Sequence, residues 1–400
     1  MEKFIGVIQI TDSKIKLVIG SVVDNKPILV YSTERTILGA VQRGRIINFN
    51  IVEEILKSLY EIKDEEAKLR ITCSDAIVIL PPIGFKVYQS TKTTQLVGDS
   101  NIVQSIDVIN CINMFKKVEI NDNDRIVDIV PNNFLIDNNK YFKNIPLGEA
   151  SRSLTINANI QILPETLINT YDRAFASTQI RVRKYVCEPY ALTSLGKTKK
   201  EIPSSYLLID TQDGITSLCL VSNDSPIKST YFEIGFKDLV NDIMDYFDIG
   251  EEEALNLINL YGINERDLNF DPVILTKGDK KYFPKDLNTA IETFADKYIK
   301  QLNASYSSLM AGLSVKVKQA PVVFCGSLFE VHGFTKLIED NFVEAKTKHI
   351  LSPKTIGARK SEYSALIGAL LANYFDKGNL SEQYSKVAQV DRIKDNKKQK

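Results

Sequence analysis

Cysteine and histidine are the side chains with the most direct chemistry, and their spacing here indicates no site built from them. The five cysteines lie far apart and include no C-x-x-C pair, so neither a disulfide framework nor a zinc site is indicated. Free cysteines are typical of a reducing compartment. Only His332 and His349 are present, which leaves few candidates for catalysis or metal binding by histidine. The cysteines are Cys73, Cys111, Cys187, Cys219 and Cys325.

Glycine content and charge narrow the classes of site further. The 19 glycines in 400 residues fall below the average usage of about 7%, so glycine-rich loops that bind phosphate should be scarce. Because 50 Lys and Arg balance 50 Asp and Glu, no net field attracts nucleic acid, and no nucleic-acid partner is expected. The N-terminus lacks a signal-peptide pattern, and the best apolar run, residues 365–372, is far below the roughly 20 residues of a membrane span. Any membrane attachment is expected to be peripheral.

Two stretches of the chain share a strand-turn-strand pattern. In each, an apolar strand leads into a polar turn and a second strand returns. The segment Ile8-Gln9-Ile10-Thr11-Asp12 aligns with Ile209-Asp210-Thr211-Gln212-Asp213. The repeat favours two related halves, and chance similarity between two hairpins is the alternative.

Helical periodicity between the strands favours an α/β arrangement over an all-β one. Asn50 is placed to cap a first helix, Ser100 precedes an apolar pattern that starts at Ile102, and Pro164 suits the first position of a third helix. Residues 84–163 have the pattern of a compact strand-helix-strand unit and are predicted to form a small extra domain. Later helices are predicted at 237–247, 251–261 and 287–309.

The order of these motifs resembles the actin-like fold and, within it, the FtsA family of bacterial cell-division proteins. The resemblance spans residues 4–375, and it depends on order and spacing rather than on one strong motif. Besides the two turns and the inserted domain, the matching segments are Arg43-Gly44-Arg45-Ile46-Ile47, Val130-Pro131-Asn132-Asn133-Phe134, Pro146-Leu147-Gly148, Glu188-Pro189-Tyr190-Ala191, Ile234-Gly235, Tyr261-Gly262, Cys325-Gly326 and Gly368 in a final helix.

The resemblance implies an α/β, actin-like molecule, a duplicated ribonuclease H-like fold in two lobes with an inserted small α+β domain. Its expected segments are 1–83, the first lobe; 84–163, the inserted domain; 164–197, a return to the first lobe; 198–223, the core of the second lobe; 224–310, a smaller subdomain of that lobe; 311–375, the end of the second lobe with the final helix; and 376–400, a polar basic tail.

By this resemblance, the cleft between the lobes would hold ATP and a magnesium ion. Backbone N–H groups of the two turns would bind the phosphates, and Asp210 would help to organise the metal. Glu188 would be the catalytic residue that positions the attacking water. The residues expected to contact nucleotide are Ser13, Lys14, Asp210, Gly214, Thr216, Gly235 and Gly326.

The two turns depart from the family pattern where phosphate would approach. The family turns are Asp-Ile-Gly-Thr-Ser-Lys and Asp-Ile-Gly-Gly-Gly-Thr-Thr-Asp, whereas this chain has Gln9 in place of an acid and adds Asp12 and Asp213. Two unit charges about 4 Å apart interact by about 4 kcal/mol at an effective dielectric constant near 20, so an added carboxylate opposes phosphate binding strongly. The sequence therefore favours a degenerate cleft with weak or absent ATP hydrolysis.

FtsA-like proteins tie FtsZ filaments to the membrane and self-assemble through actin-like contacts. The resemblance implies that the C-terminal peptide of FtsZ docks on residues 224–310, where Lys297 stands at the position of a family arginine. A lysine lacks the bidentate geometry of arginine, and an ordinary solvated lysine is the alternative.

The family usually ends in an amphipathic helix, and residues 380–400 carry only a short apolar stripe followed by several lysines. The lysines would favour an anionic membrane surface, and a solvated tail is the alternative. The resemblance thus predicts a cytoplasmic protein, peripheral at the inner face of the cell membrane at the division site. A division adaptor is the favoured function. The alternatives are an active actin-like ATPase and an actin-like pilus-assembly protein that binds a peptide of a membrane partner.

Overall fold

The structure is a computed structural model that describes residues 4–64, 69–97, 101–137, 139–263, 272–342 and 348–377. The strands are β1 (Ile5–Ile10), β2 (Lys14–Val23), β3 (Lys26–Thr36), β4 (Val41–Gln42), β5 (Arg45–Ile46), β6 (Glu61–Asp64), β7 (Leu69–Thr72), β8 (Asp75–Leu80), β9 (Lys86–Gln95), β10 (Asp124–Ile136), β11 (Lys140–Phe142), β12 (Ser153–Pro164), β13 (Arg181–Cys187), β14 (Tyr206–Thr211), β15 (Thr216–Ser222), β16 (Ser225–Phe232), β17 (Leu275–Lys277), β18 (Lys280–Tyr282), β19 (Val322–Cys325) and β20 (Lys348–Ile350).

Helices alternate with these strands along the chain. They are α1 (Phe49–Ser58), α2 (Ser105–Phe115), α3 (Glu165–Ala176), α4 (Glu188–Gly196), α5 (Phe236–Phe247), α6 (Glu251–Leu260), α7 (Pro284–Met310), α8 (Val315–Lys318), α9 (Phe334–Asn341) and α10 (Ser364–Lys377), with short 3-10 helices at Ser327–Glu330 and Ser361–Tyr363.

The first lobe is built on a five-stranded sheet of order β13-β8-β1-β2-β3. Strands β1, β2 and β3 form an antiparallel meander, and β8 and β13 join it in parallel. Every residue of β1 is buried, so both faces of the sheet must be covered. Helices α1 and α3 cover one face, and α4 and α10 cover the other.

The second lobe repeats the same sheet. Its strand order is β16-β15-β14-β19-β20, again an antiparallel meander followed by two parallel strands. Helices α5, α6, α7 and α9 pack on one face of this sheet. Two sheets with equivalent strand order and direction confirm the internal duplication that the paired turns predict.

A four-stranded antiparallel sheet of order β11-β10-β12-β9 is inserted after β8 and carries α2 on one face. Strand β12 alternates apolar residues, which pack beneath α2, with polar ones such as Asn157 and Asn159. The apolar residues face α2, whereas Asn159 on the other face is buried and donates to the Pro226 carbonyl oxygen of the second lobe. The insertion of a small α+β domain is therefore confirmed.

Helices α4 and α10 pack against each other between the two sheets. Their close approach requires Gly368, because a Cβ at that position would clash with the carbonyl oxygen of Ala191. The packing of these two helices joins the lobes at the base of the cleft.

Two predicted helix starts are wrong. Helix α1 begins at Phe49 with Asn48 at the N-cap, so Asn50 lies inside the helix. Helix α2 begins only at Ser105, because Ile102 instead forms a β-bridge with Ala150. Periodicity alone does not distinguish an apolar extended segment from a helical turn. Ser100 lies outside the described residues.

No helix within the described residues is long and apolar enough to cross a membrane. The tail predicted for residues 380–400 lies outside the described residues.

Candidate functional site

The two polar turns face each other across the cleft between the lobes. Residues 11–13 join β1 to β2, and residues 212–215 join β14 to β15. The cavity between them has a volume of about 30 Å³, which is room for one or two water molecules. Gly44 and Glu188 complete its walls.

Asp12 is bound by the backbone of its own lobe. One oxygen of its carboxylate accepts the Arg43 N–H at 2.6 Å, and the other accepts the Gly44 N–H at 2.7 Å. Both donors have positive φ, 49° and 70°, and successive backbone N–H groups in a turn can form an anion-binding concavity. Burial raises the pKa of the Asp12 carboxyl, although these two hydrogen bonds oppose the rise.

Arg43 joins the first lobe to the second. Its guanidinium donates to both carboxylate oxygens of Asp238, at 2.5 and 2.6 Å, and to the carbonyl oxygen of Gly214 at 2.9 Å. Asp238 lies in the first turn of α5 and also accepts the Gly235 N–H at 2.7 Å. The hydrogen-bonded Asp238 carboxylate raises the pKa of Arg43 above its usual value.

A second bridge joins the two turns directly. The backbone N–H and the hydroxyl of Ser13 both donate to one carboxylate oxygen of Asp213, at 3.0 and 2.5 Å. The two acids that the sequence adds to the phosphate side thus each accept two hydrogen bonds from the turns around them.

Buried polar side chains form the floor of the cleft. Gln9 donates to Glu188 at 2.6 Å, and Gln212 donates to both oxygens of Asp210 at 3.0 Å. Burial raises the pKa of Glu188 well above its usual value and that of Asp210 to about 6. The side-chain oxygen of Gln9 is buried without a hydrogen-bond partner among the described residues.

The remaining residues expected to contact nucleotide also have partners within the protein. Lys14 pairs with Glu34 at 2.7 Å. Glu34 lies on β3, the edge strand of the first lobe's sheet. The Thr216 hydroxyl donates to the carbonyl oxygen of Ile234 at 2.7 Å, and the Gly326 N–H donates to the Ser361 hydroxyl at 2.8 Å. The structure therefore gathers the predicted residues around one cleft, except that Lys14 points to Glu34.

These residues do not fit ATP in the conformation described. A triphosphate needs unpaired backbone donors at the turns, but the Ser13, Gly235 and Gly326 N–H groups already donate to protein oxygens. A ligand pocket usually has about 300–1,000 Å³, far more than the cavity between the turns. A magnesium ion would also lack one carboxylate, because Gln9 stands where the family has an acid. Among the described residues, no group of three or more His, Cys, Asp or Glu side chains is placed to hold a metal.

Sequence reasoning missed Arg43 and Asp238 as residues of this site. The segment around Arg43 matches the FtsA family, and that match was the signal in the sequence that could have pointed to Arg43. Nothing local to the sequence connects it with a carboxylate 195 positions later. The contact exists only because α5 begins beside the second turn.

Lys297 lies apart from the cleft, on the exposed side of α7. Its ammonium group pairs with Asp242 of α5 at 3.0 Å, and its side chain is 60% exposed. Such a surface pair contributes little to stability, so the cation remains available to another carboxylate.

Comparisons with known proteins agree with this architecture. Residues 84–162 match the family described as the SHS2 domain inserted in FtsA. Cell division protein FtsA of Buchnera aphidicola is 20% identical over 332 residues, which are 79% of this chain and 73% of that protein. Cell division protein FtsA of Bacillus subtilis is 18% identical over 369 residues, which are 91% and 82% of the two chains.

Among solved structures, a chain of the PilM–PilN type IV pilus biogenesis complex is similar with a TM-score of 0.58. It is 15% identical and the match covers 92% of this chain and 98% of that chain. The fold is actin-like. Together with the match of the inserted domain, the comparisons show that the chain is similar to FtsA proteins at low sequence identity.

Proposed function

We propose that this protein is a cell-division adaptor that binds the C-terminal peptide of FtsZ. In the same proposal it self-assembles through actin-like contacts and lies peripherally at the inner face of the cell membrane. The observation that carries the proposal is the match of residues 84–162 to the SHS2 domain inserted in FtsA. Both curated relatives are cell division proteins and are covered over most of their length.

The geometry of the cleft favours binding over turnover as the output of the protein. Glu188, the expected catalytic residue, accepts a hydrogen bond from Gln9 and is 2% exposed. Glu188 lines the small cavity between the turns, but the backbone donors that would hold phosphates beside it already donate to protein oxygens. We therefore propose that the protein acts by binding FtsZ and further copies of itself, and we expect no steady ATP hydrolysis.

The FtsZ peptide is proposed to dock on the second lobe beside α7. Lys297 would exchange its exposed partner Asp242 for a carboxylate of the peptide. Such an exchange costs little, because an exposed ion pair contributes only about 0–1 kcal/mol.

Peptide binding is the direct test. The full-length protein is titrated into a fluorescently labelled FtsZ C-terminal peptide, and anisotropy is recorded for the wild type and for Lys297→Ala. Loss of a charge-assisted contact of about 1.4 kcal/mol would weaken binding about tenfold. Lys285→Ala is the matched control, since Lys285 is an exposed lysine in the first turn of α7 and Lys297 lies near the middle of that helix; this variant should bind as the wild type does. Equal affinity of both variants would remove Lys297 from the site, and no binding by the wild type would contradict the proposal.

A pilus-assembly role is the second candidate, favoured by the similarity to a chain of the PilM–PilN complex. In that role the protein would bind a short peptide of a membrane partner instead of FtsZ. The same anisotropy assay separates the two roles when a peptide of a PilN-type protein is titrated in parallel. Binding of that peptide together with failure of the FtsZ peptide would select the pilus role.

A further inference from the structure

We infer that Asp12 is a built-in anion in a site formed by the Arg43 and Gly44 N–H groups, and that the cleft is held closed by an interlobe latch without nucleotide. The interlobe latch consists of Arg43, Asp238, Ser13 and Asp213. This inference concerns the cleft alone and does not depend on which peptide the protein binds.

The first support is the anion site that Asp12 fills. The Arg43 and Gly44 N–H groups converge on its two carboxylate oxygens at 2.6 and 2.7 Å. Arg43 adopts a positive φ that non-glycine residues rarely adopt, so the turn is held in this shape by what it binds. A backbone turn with two converging donors is a general binding site for anionic oxygen. Here the oxygen belongs to the protein itself.

The second support is that both halves of the latch cross from one lobe to the other. The Arg43 guanidinium donates two hydrogen bonds to the Asp238 carboxylate and a third to the Gly214 carbonyl oxygen. Ser13 donates twice to Asp213. Bidentate, charge-assisted hydrogen bonds are the strong members of their class, and Arg43 and Asp238 are both more than two-thirds buried.

The third support is packing at the junction. Gly214 lies so close to Asp12 that a Cβ at position 214 would clash with the Asp12 carboxylate. The second turn therefore packs directly against the anion of the first turn. The two lobes therefore meet at Asp12.

Amide hydrogen exchange, measured with and without inorganic phosphate, tests whether Asp12 fills an anion site. Amide exchange of residues 41–47 and of the two turns is measured by mass spectrometry for the wild type and for Asp12→Ala. Removing an acceptor of two backbone hydrogen bonds should raise exchange at Arg43 and Gly44 by about tenfold or more. Added millimolar phosphate should restore protection in Asp12→Ala and leave the wild type unchanged. Wild-type exchange rates in the variant, or no effect of phosphate on the variant, would overturn the built-in anion.

The latch is tested through its arginine. Arg43→Lys keeps the charge but loses the paired hydrogen bonds, and it should raise exchange at both turns. Arg45→Gln is the matched control, because Arg45 also reaches the second lobe at Glu233 but through a pair that is nearly half exposed; its effect should stay within about twofold. Equal effects of the two variants would overturn the latch, as would protection of the wild-type turns by magnesium and ATP. Asp238→Asn serves as the second variant if Arg43→Lys does not fold.

Discussion

Asp210 is the carboxylate whose burial makes the sharpest prediction for stability. It is 1% exposed at the end of β14, and its two oxygens accept hydrogen bonds from the Gln212 side chain at 3.0 Å. Burial raises its pKa to about 6 from the usual 3.8, although hydrogen bonds and the charge of Lys16 oppose the rise. The perturbation is Asp210→Asn, which keeps the shape and one acceptor but removes the charge.

The raised pKa of Asp210 determines the direction in which the stability of the protein changes with pH. Above pH 6 the folded protein holds an ionised carboxylate in a site that disfavours it, whereas below about pH 4 the group is neutral in both the folded and the unfolded protein. The stability that Asp210 contributes is therefore fully present below the unfolded pKa and is lost as the pH rises through about 6. Each pH unit between the two pKa values corresponds to about 1.4 kcal/mol, so the cost at pH 8 is about 3 kcal/mol.

Urea unfolding of the wild type and Asp210→Asn across this pH range is the measurement. The difference between the two proteins cancels the groups that both retain, except for Glu188, whose pKa is raised by burial and by the charge of Asp210. We expect Asp210→Asn to gain on the wild type by about 2 kcal/mol between pH 4 and pH 8, with most of the change below pH 6.5. A constant difference across the range would refute the raised pKa, and a variant that loses relative stability as the pH rises would refute its direction.

Two further substitutions test the packing that joins the lobes. Gly368→Val should destabilise the protein by at least about 1–3 kcal/mol, because its Cβ would meet the Ala191 carbonyl oxygen; an unchanged midpoint of thermal unfolding would contradict the close approach of α4 and α10. Lys184→Met should cost about 2–4 kcal/mol, because it removes the ammonium group that lies 2.5 Å from the Asp376 carboxylate. Added Asp376→Asn should recover part of that loss in urea unfolding, and no recovery would contradict the pairing.

The sequence was informative where structure is local. The meanders that contain the two turns follow from apolar strands interrupted by short polar segments, and the duplication follows from their alignment. The inserted domain follows from its own strand and helix pattern. The start of α2 was wrong because Ile102 and Val103 are apolar in an extended segment, in which Val103 is buried in the core of the inserted domain and Ile102 is exposed.

The closed cleft could not be predicted because its contacts join distant parts of the chain. The sequence placed Asp12 and Asp213 on the phosphate side, but it did not indicate that Ser13, Gly44 and Arg43 would satisfy them. The contact of Ser13 with Asp213 depends on how α4 and α10 position the two lobes, whereas the contacts of Asp12 depend on how the turn at Arg43 and Gly44 folds within the first lobe. Composition and spacing report only which charges are present, not which backbone N–H groups face them.

We propose that the protein is an FtsA-like adaptor that binds its partner while its cleft is already closed. The most direct measurement is the affinity of the full-length wild type for the FtsZ C-terminal peptide, determined by calorimetry with and without magnesium and ATP. We predict saturable binding, with the same affinity and the same binding enthalpy in the presence and in the absence of magnesium and ATP. Absence of binding, or binding that appears only when magnesium and ATP are present, would contradict it.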